Sequence, residues 1–257
     1  MGTPQKVFIT GASSGIGLAL AAEYVRRGAI LGLVARRQDA LERFRDAHPQ
    51  HPILIYAADV RDADALANAT QDFFAKHGCP DIVIANAGVS RGTITGLGDL
   101  QAFRDVMDTN YYGMVATFEP FAAEMAAARK GTLVGISSVA GVRGLPGSGA
   151  YSASKAAART YLESLRVEMR PRGVSVVTIA PGFIRTPMTA RNPYPMPFLM
   201  DVERFAHAAA RAIEQKKRYV VLPWQMRFVA MMLHAVPRWL YDAAMKKAPH
   251  KPRSKAD

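Results

Sequence analysis

KVFITGASSGIGLALAAEYVRRG, residues 6–28, changes its period partway along. Lys6–Thr10 is a short β-rich run. Gly11, Gly15 and Gly17 punctuate the turn that follows, and from there apolar residues recur at helical spacing until Gly28 stops them. The glycines are spaced so that the backbone can turn tightly and let a phosphate approach a helix N-terminus, where unpaired N–H groups and the helix dipole favour an anion. A glycine-rich turn alone is a weak signal. One that follows a strand and opens a helix is a stronger one.

The pattern repeats outward from this stretch. AILGLVA (29–35), HPILIYAADV (51–60), DIVIANAG (81–88), GTLVGISS (131–138), VSVVTIAPG (174–182) and RYVVLP (218–223) read as further strands, each apolar along its length rather than alternating. Strands of that kind are covered on both faces. Helical patterns separate them: a polar one to about Ala47, one with Asp62 as N-cap and Gly78 as stop, one from Asp99 to Arg129 with a break near Gly113, a long one from Tyr151 ended by Pro171 and Gly173, and one over 201–215. The expected fold is a Rossmann-like α/β domain: a doubly wound parallel sheet of about seven strands, helices on both faces, and a C-terminal helical extension. With no linker, repeat or low-complexity tract, residues 1–248 read as one domain and 249–257 as a basic, disordered tail.

The composition narrows the function classes. The chain has 257 residues, about half of them hydrophobic, enough for a substantial core. Cys79 is its single cysteine, so no internal disulfide and no cysteine metal cluster can form. His48, His51, His77, His207, His234 and His250 lack metal-ligand spacing, and no metal is expected. No apolar run is long enough to span a bilayer and KVFIT is too short for a signal-peptide core, so the expected compartment is the cytoplasm. The net charge is +12, and from Lys216 to Asp257 ten Lys/Arg face two Asp, a local +8. With the charge confined to the tail and no reading element beside it, nucleic acid is not an expected partner.

YSASK, Tyr151–Lys155, heads the long helix. Residues four apart lie on one helical face, and a nearby ammonium favours a phenolate. The pair is open to two readings: a proton donor and acceptor working near neutral pH, or an ordinary solvated i,i+4 pair. LVARR (33–37) carries no Asp or Glu between Gly28 and Arg37, where an acidic residue would bond a ribose 2′-hydroxyl in an NAD site. Arg36 and Arg37 stand there instead. A guanidinium chelates a 2′-phosphate that a carboxylate would repel, so NADP(H) is expected over NAD(H), with Arg36 as the main clamp and Ser13 assisting.

TGASSGIG (10–17), NAG (86–88), ISS (136–138), YSASK and PG (181–182) occur in one order at familiar separations. Over about residues 5–190 the chain resembles the short-chain dehydrogenase/reductase family. The resemblance implies a nicotinamide dinucleotide held by Gly11, Ser13, Ser14, Gly15, Ile16 and Gly17, by Asp59 and Val60 beside the adenine, and by Asn86, Ala87 and Gly88 beside the adenosine ribose. Pro181, Gly182, Ile184 and Thr186 would hold the nicotinamide end. It implies Tyr151 as general acid and base, and Lys155 lowering the phenol's pKa while bonding the nicotinamide ribose. Ser138, rather than its rival Ser137, would hold the substrate oxygen, and Asn110 would bend its helix and hold a water leading from Lys155.

Beyond about Met196 the resemblance ends. Residues 188–200 form a Pro- and Met-rich loop, read either as an apolar pocket wall built from Met188, Met196, Phe198, Leu199 and Met200 or as a plain surface loop. Residues 224–247 read as two amphipathic helices split by Pro237. Their apolar face packs on a second subunit, giving a homodimer or homotetramer, or else segment 224–255 lies on an anionic membrane at the inner face of which the protein is peripheral. The expected function is an NADP(H)-dependent carbonyl reductase or alcohol dehydrogenase for a hydrophobic ketone or secondary alcohol. The alternatives are a dinucleotide-binding sensor or scaffold without turnover and a peripheral membrane reductase of lipid-like substrates.

Overall fold

Apolar runs with no polar face must be covered twice, and the computed structural model shows how. It describes residues 3–190, 192–246, Lys251 and Arg253. The strands are β1 (Lys6–Thr10), β2 (Ile30–Ala35), β3 (Ile53–Ala57), β4 (Ile82–Ala85), β5 (Thr132–Ile136), β6 (Ser175–Pro181), β7 (Ile184–Arg185), β8 (Met200–Asp201) and β9 (Tyr219–Leu222). Seven form one sheet in the order β3-β2-β1-β4-β5-β6-β9, every pair parallel. The helices are α1 (Gly15–Arg26), α2 (Gln38–Asp46), α3 (Ala63–His77), α4 (Leu100–Met107), α5 (Gly113–Ala127), α6 (Gly149–Met169), α7 (Val202–Glu214), α8 (Gln225–Ala235) and α9 (Arg238–Met245). No described helix is long and apolar enough to cross a membrane.

Each strand feeds both layers, because successive side chains leave opposite faces of a sheet. Val7 and Ile9 of β1 join a core with Leu20 of α1, Leu41 of α2 and Phe205 and Ile213 of α7. Phe8, between them, joins the other core with Phe73 of α3, Phe118 and Phe121 of α5 and Leu162 and Leu165 of α6. The local signals act as the sequence predicts: the Asp62 carboxylate accepts from the N–H of Ala65 at 2.9 Å, and Gly78 ends α3 with φ at +71°. The break expected near Gly113 is a π-helical turn, Asp108–Tyr112, between α4 and α5.

The sheet's topology places the site. From β1 the chain moves one way to β2 and β3, then crosses back to β4 and continues outward. A crevice opens where the order reverses, at the carboxyl ends of β1 and β4, and ligands of such sheets bind there. β7 and β8 were not anticipated. They pair Ile184 with Met200 and Arg185 with Asp201, closing the base of the 188–200 loop, and an Arg185–Asp201 ion pair at 2.9 Å secures it. The tail expected to be disordered, 249–257, falls mostly outside the described residues. Lys251 and Arg253, which are described, lie against the loop at 90–99.

Candidate active site

At the crevice the turn between β1 and α1 is pressed against the end of β4. Gly11 has φ at +70°, and a Cβ there would lie 2.7 Å from the Cα of Ala87. A Cβ on Gly17 would lie 2.2 Å from the carbonyl oxygen of Gly11, so the helix can start this close only with glycine at both positions. The Asn86 amide donates to the carbonyls of Thr10 at 3.0 Å and Gly11 at 3.3 Å, locking the two strand ends together. A cleft of ≈ 430 Å³ runs across this junction. Gly11, Ser13, Ser14, Gly15, Ile16, Arg36, Arg37, Asp59, Val60, Asn86, Ala87 and Gly88 line one end, and Tyr151, Lys155, Pro181, Gly182, Ile184 and Thr186 the other. Of the cofactor residues expected from the sequence, only Gly17 lies behind the wall. Thr109 and Pro187 line the cleft too, and no motif pointed to them.

The two arginines differ in placement. Arg37 reaches over the turn, donating to the carbonyl of Ser13 at 3.0 Å and to its hydroxyl at 3.2 Å. Arg36 extends into solvent, 3.9 Å from Asp59, whose carboxylate is otherwise held by Arg61 at 2.7 Å. The hydrogen bond from Arg61 holds Asp59 below the usual carboxylate pKa, so Asp59 remains an acceptor at neutral pH. Glycine cradle and helix N-terminus together fit the pyrophosphate of a dinucleotide, with the Arg36 and Arg37 guanidiniums beside them.

At the other end of the cleft the strand β5 and the helix α6 supply the reactive side chains. Alternation along the strand end separates the two serines: the Ser137 hydroxyl donates to the carbonyl of Lys155 at 2.9 Å, whereas the Ser138 hydroxyl accepts from the N–H of Ala140 at 3.1 Å and lies against the Tyr151 phenol. Lys155 is 4 % exposed and donates to the carbonyl of Ile136 at 2.8 Å, and its Nζ lies 5.9 Å from the Tyr151 ring centroid. Burial lowers the Lys155 pKa to about 8. Burial also raises that of Tyr151, with the Ser138 hydroxyl pulling the other way. The sequence reading expected Lys155 and the oxidised nicotinamide together to lower the phenol. In the chain alone, burial is the largest influence on both groups, and it keeps Tyr151 protonated.

Asn110 sits in the π-helical turn, fully buried. Its carbonyl oxygen accepts from the N–H of Val89 at 2.7 Å, and its amide donates to the Val89 carbonyl at 2.9 Å and the Ser154 hydroxyl at 2.9 Å. The widened turn carries the side chain inward, so Asn110 ties the helix to the strand end bearing Gly88 and to the helix bearing Tyr151.

A second cavity, ≈ 310 Å³, opens from the first and shares Ser138, Tyr151, Pro181, Gly182, Met188 and Thr189 with it. Its far walls come from Leu145, Phe183, Tyr194 and Pro195 and, on the C-terminal helices, Met226, Val229, Leu233 and Met245. The sequence reading of the 188–200 loop holds for Met188. Phe198 is exposed and Met200 packs on the main core, while Asn192, Tyr194, Pro195 and Pro197 take the wall positions. Arg143 fixes α8 by donating to the carbonyls of Leu233 at 2.9 Å and Val236 at 2.6 Å and stacks 4.1 Å from the Tyr241 ring centroid. That contact joins residues far apart in the chain, and no local pattern announces it.

A dinucleotide cleft that meets an apolar cavity at a Ser–Tyr–Lys cluster defines a class, the nicotinamide-dependent oxidoreductases. The short chain dehydrogenase family profile matches residues 5–195, and the chain belongs to that family. It is 39% identical over 245 residues to an uncharacterized oxidoreductase of Myxococcus xanthus, covering 95% of this chain and 97% of the other. Among solved structures it is similar to a short chain dehydrogenase from Burkholderia cenocepacia in complex with NADP, at 27% identity and a TM-score of 0.81 over 96% of this chain and 98% of that one. It is also similar to a 3-oxoacyl-[acyl-carrier protein] reductase from Brucella melitensis with bound NAD, at 29% identity and a TM-score of 0.76 over 85% and 89%. The protein is thus an oxidoreductase with a nicotinamide dinucleotide site, and relatives carry either dinucleotide.

Proposed function

We propose that the protein is an NADP(H)-dependent carbonyl reductase, also able to run as an alcohol dehydrogenase, for a hydrophobic ketone or secondary alcohol. One observation carries this reading: the Tyr151 phenol and the Ser138 hydroxyl stand at the only boundary shared by the two described cavities. A carbonyl lodged in the apolar cavity meets both hydroxyls there. The nicotinamide, when bound, gives a hydride to the carbonyl carbon or takes one from the carbinol carbon.

The chain's own groups do the rest. Ser138 donates a hydrogen bond to the substrate oxygen and fixes it beside Tyr151. Tyr151, protonated in this environment, gives its proton to that oxygen as negative charge develops. Lys155, when charged, stabilises the phenolate left behind. Asn110 acts as a positioning residue through Val89 and Ser154. Arg36 and Arg37, with Ser13, surround the place where a 2′-phosphate would lie, which supports NADP(H) over NAD(H). Oxidation of NADPH with a panel of apolar ketones tests the reading. Tyr151→Phe should lower kcat by about a hundredfold to ten-thousandfold and leave NADPH affinity unchanged. Tight NADPH binding with no ketone turned over would favour the sensor or scaffold instead.

We also infer that the outer face of α8 and α9 rests on an anionic lipid surface. Trp224, Phe228, Met231, Met232, Trp239 and Leu240 are exposed on these helices, beside exposed Arg227, Arg238 and Lys246 and a single acid, Asp242. A second copy would set like charges against one another, whereas anionic headgroups complement them. The inner faces of the same helices wall the apolar cavity, which suits a substrate drawn from the bilayer.

A further inference from the structure

The second cavity is lined mainly by apolar side chains, with the hydroxyls of Ser90, Ser138, Ser148, Tyr151 and Thr189 and the Asn192 amide among them. Among the described residues lining it, Lys251 alone carries a full charge, and no Asp, Glu, Arg or His joins it. Its Nζ donates to the Ser90 hydroxyl at 2.6 Å, and no carboxylate among the described residues lies within ion-pair reach of it. Burial lowers its pKa. A half-buried lysine with no counter-ion among the described residues is stabilised when a ligand supplies the negative charge.

The residue is held there rather than draped. Two positions on, Arg253 donates from Nε to Asp99 at 2.7 Å and from its guanidinium to the Leu97 carbonyl, and it forms a parallel bridge with Gly92. Asp99 is itself fixed, accepting from the N–H of Ile94 at 2.9 Å. The Arg253–Asp99 pair thus fixes Arg253 against the 90–99 loop, two positions along the chain from Lys251.

Building on the reductase reading, we propose that the substrate is an oxo-acid or hydroxy-acid whose carboxylate is bound by Lys251 and Ser90, while its carbonyl or carbinol faces Tyr151. Ser90 accepts from Lys251 and keeps its own hydrogen to donate. The two side chains therefore offer one donor to each carboxylate oxygen. A phosphate dianion would call for more than the single cation found here. The apolar walls between Lys251 and Tyr151 take the aliphatic body.

The test compares medium-chain oxo-acids with their methyl esters in NADPH-dependent reduction by the full-length protein, alongside calorimetric binding of medium-chain fatty acids. Acids should exceed their esters in kcat/KM. Lys251→Met should lower kcat/KM for the acids about tenfold or more, mainly through KM, with the esters within about twofold. Lys251→Arg should restore much of the difference, and Arg253→Gln should weaken it. Fatty-acid affinity should fall in parallel in Lys251→Met. If acids and esters are reduced alike and Lys251→Met changes neither their ratio nor fatty-acid affinity, the carboxylate site is overturned and the reductase reading stands. If no ketone of any kind is reduced, the reductase reading fails. The fatty-acid titration of Lys251→Met then decides the anion site by itself: equal affinity in wild type and variant overturns it.

Discussion

Lys155 is buried where a charge is unfavourable, and the sign of that effect on stability can be worked out. Its pKa falls from the ordinary lysine value of 10.5 in the unfolded chain to about 8 in the folded protein. Below about pH 8 both states carry the proton and the folded state bears the full cost, on the order of 3 kcal/mol. From pH 8 to 10.5 the unfolded state holds the extra proton, so this contribution to stability rises with pH. Tyr151 works in the opposite sense, but only above the ordinary tyrosine value of 10.0. Lys155→Met should therefore make the nucleotide-free protein more stable at pH 7, by about 1–2 kcal/mol once the lost bond to Ile136 is allowed for, while turnover collapses. Urea unfolding at pH 7 and 9.5 checks this: the gap should narrow at the higher pH, and a constant gap would mean that the burial cost is misassigned. The arginines make a second residue-scale case. Replacing either Arg36 or Arg37 by Asp puts a carboxylate where a 2′-phosphate would lie. The NADPH-to-NADH ratio of kcat/KM should fall about tenfold to a hundredfold in each. Arg37→Asp also removes the contacts with Ser13, so it should raise the KM for NADH as well, whereas Arg36→Asp should not.

At the scale of elements the π-helical turn is the joint on which the site's alignment depends. Asn110→Leu leaves the N–H and carbonyl of Val89 without their side-chain partner, while the Ser154 hydroxyl keeps its bond to the Tyr151 carbonyl at 2.8 Å. Unsatisfied buried groups cost about 1–3 kcal/mol each, so the variant should lose on the order of 3 kcal/mol of unfolding free energy. Denaturant titration measures it, and a loss under about 1 kcal/mol would show that the turn relaxes without its anchor. Asn110 was singled out because it matches the family's asparagine and because an asparagine in mid-helix is mildly unfavourable without a particular role, and the break expected near Gly113 lies at Asp108–Tyr112. The strands, the Asp62 cap and the Gly78 stop were legible because each is written in residues adjacent along the chain. β7 and β8 were not, since two residues of strand carry no period and their pairing joins positions 16 apart. The cleft residues were named from five short motifs whose order and separations resemble the family's, since the glycine turn and the Tyr–Lys spacing taken alone left two readings open. The partition between Arg36 and Arg37 could not be read, because it depends on side-chain direction over a neighbouring turn. The wall of the apolar cavity was hidden for another reason: α8 is apolar on both sides, so its sequence does not say which face turns inward.

For the whole molecule the question is what a charged, apolar ledge does on one side of a Rossmann-like domain. The two faces of α8 divide the labour. Met226 and Ala230 are buried, Val229 and Leu233 face the cavity, and Trp224, Phe228, Met231 and Met232 point out. Single exposed hydrophobics need no account, but a cluster of six large ones on two adjoining helices does. Apolar insertion alone would make binding indifferent to headgroup charge, and the bases alone would make it fully salt-sensitive. With both present, the protein should sediment with vesicles containing phosphatidylserine far more than with pure phosphatidylcholine vesicles. Raised salt should release most of it, because the Debye length falls to about 3 Å at 1 M. Replacing Trp224, Phe228 and Trp239 together by Ser should abolish sedimentation even at low salt. None of these three lines either cavity, so reduction of a water-soluble ketone by the triple variant should match the wild type. Should the wild type ignore both vesicles and sediment as a dimer that the triple variant breaks into monomers, the ledge is a subunit contact and the inferred lipid surface is wrong. The charge pattern argues for the first outcome, since dimerisation through this face would bring Arg227, Arg238 and Lys246 of two copies together with only Asp242 of each copy to separate them.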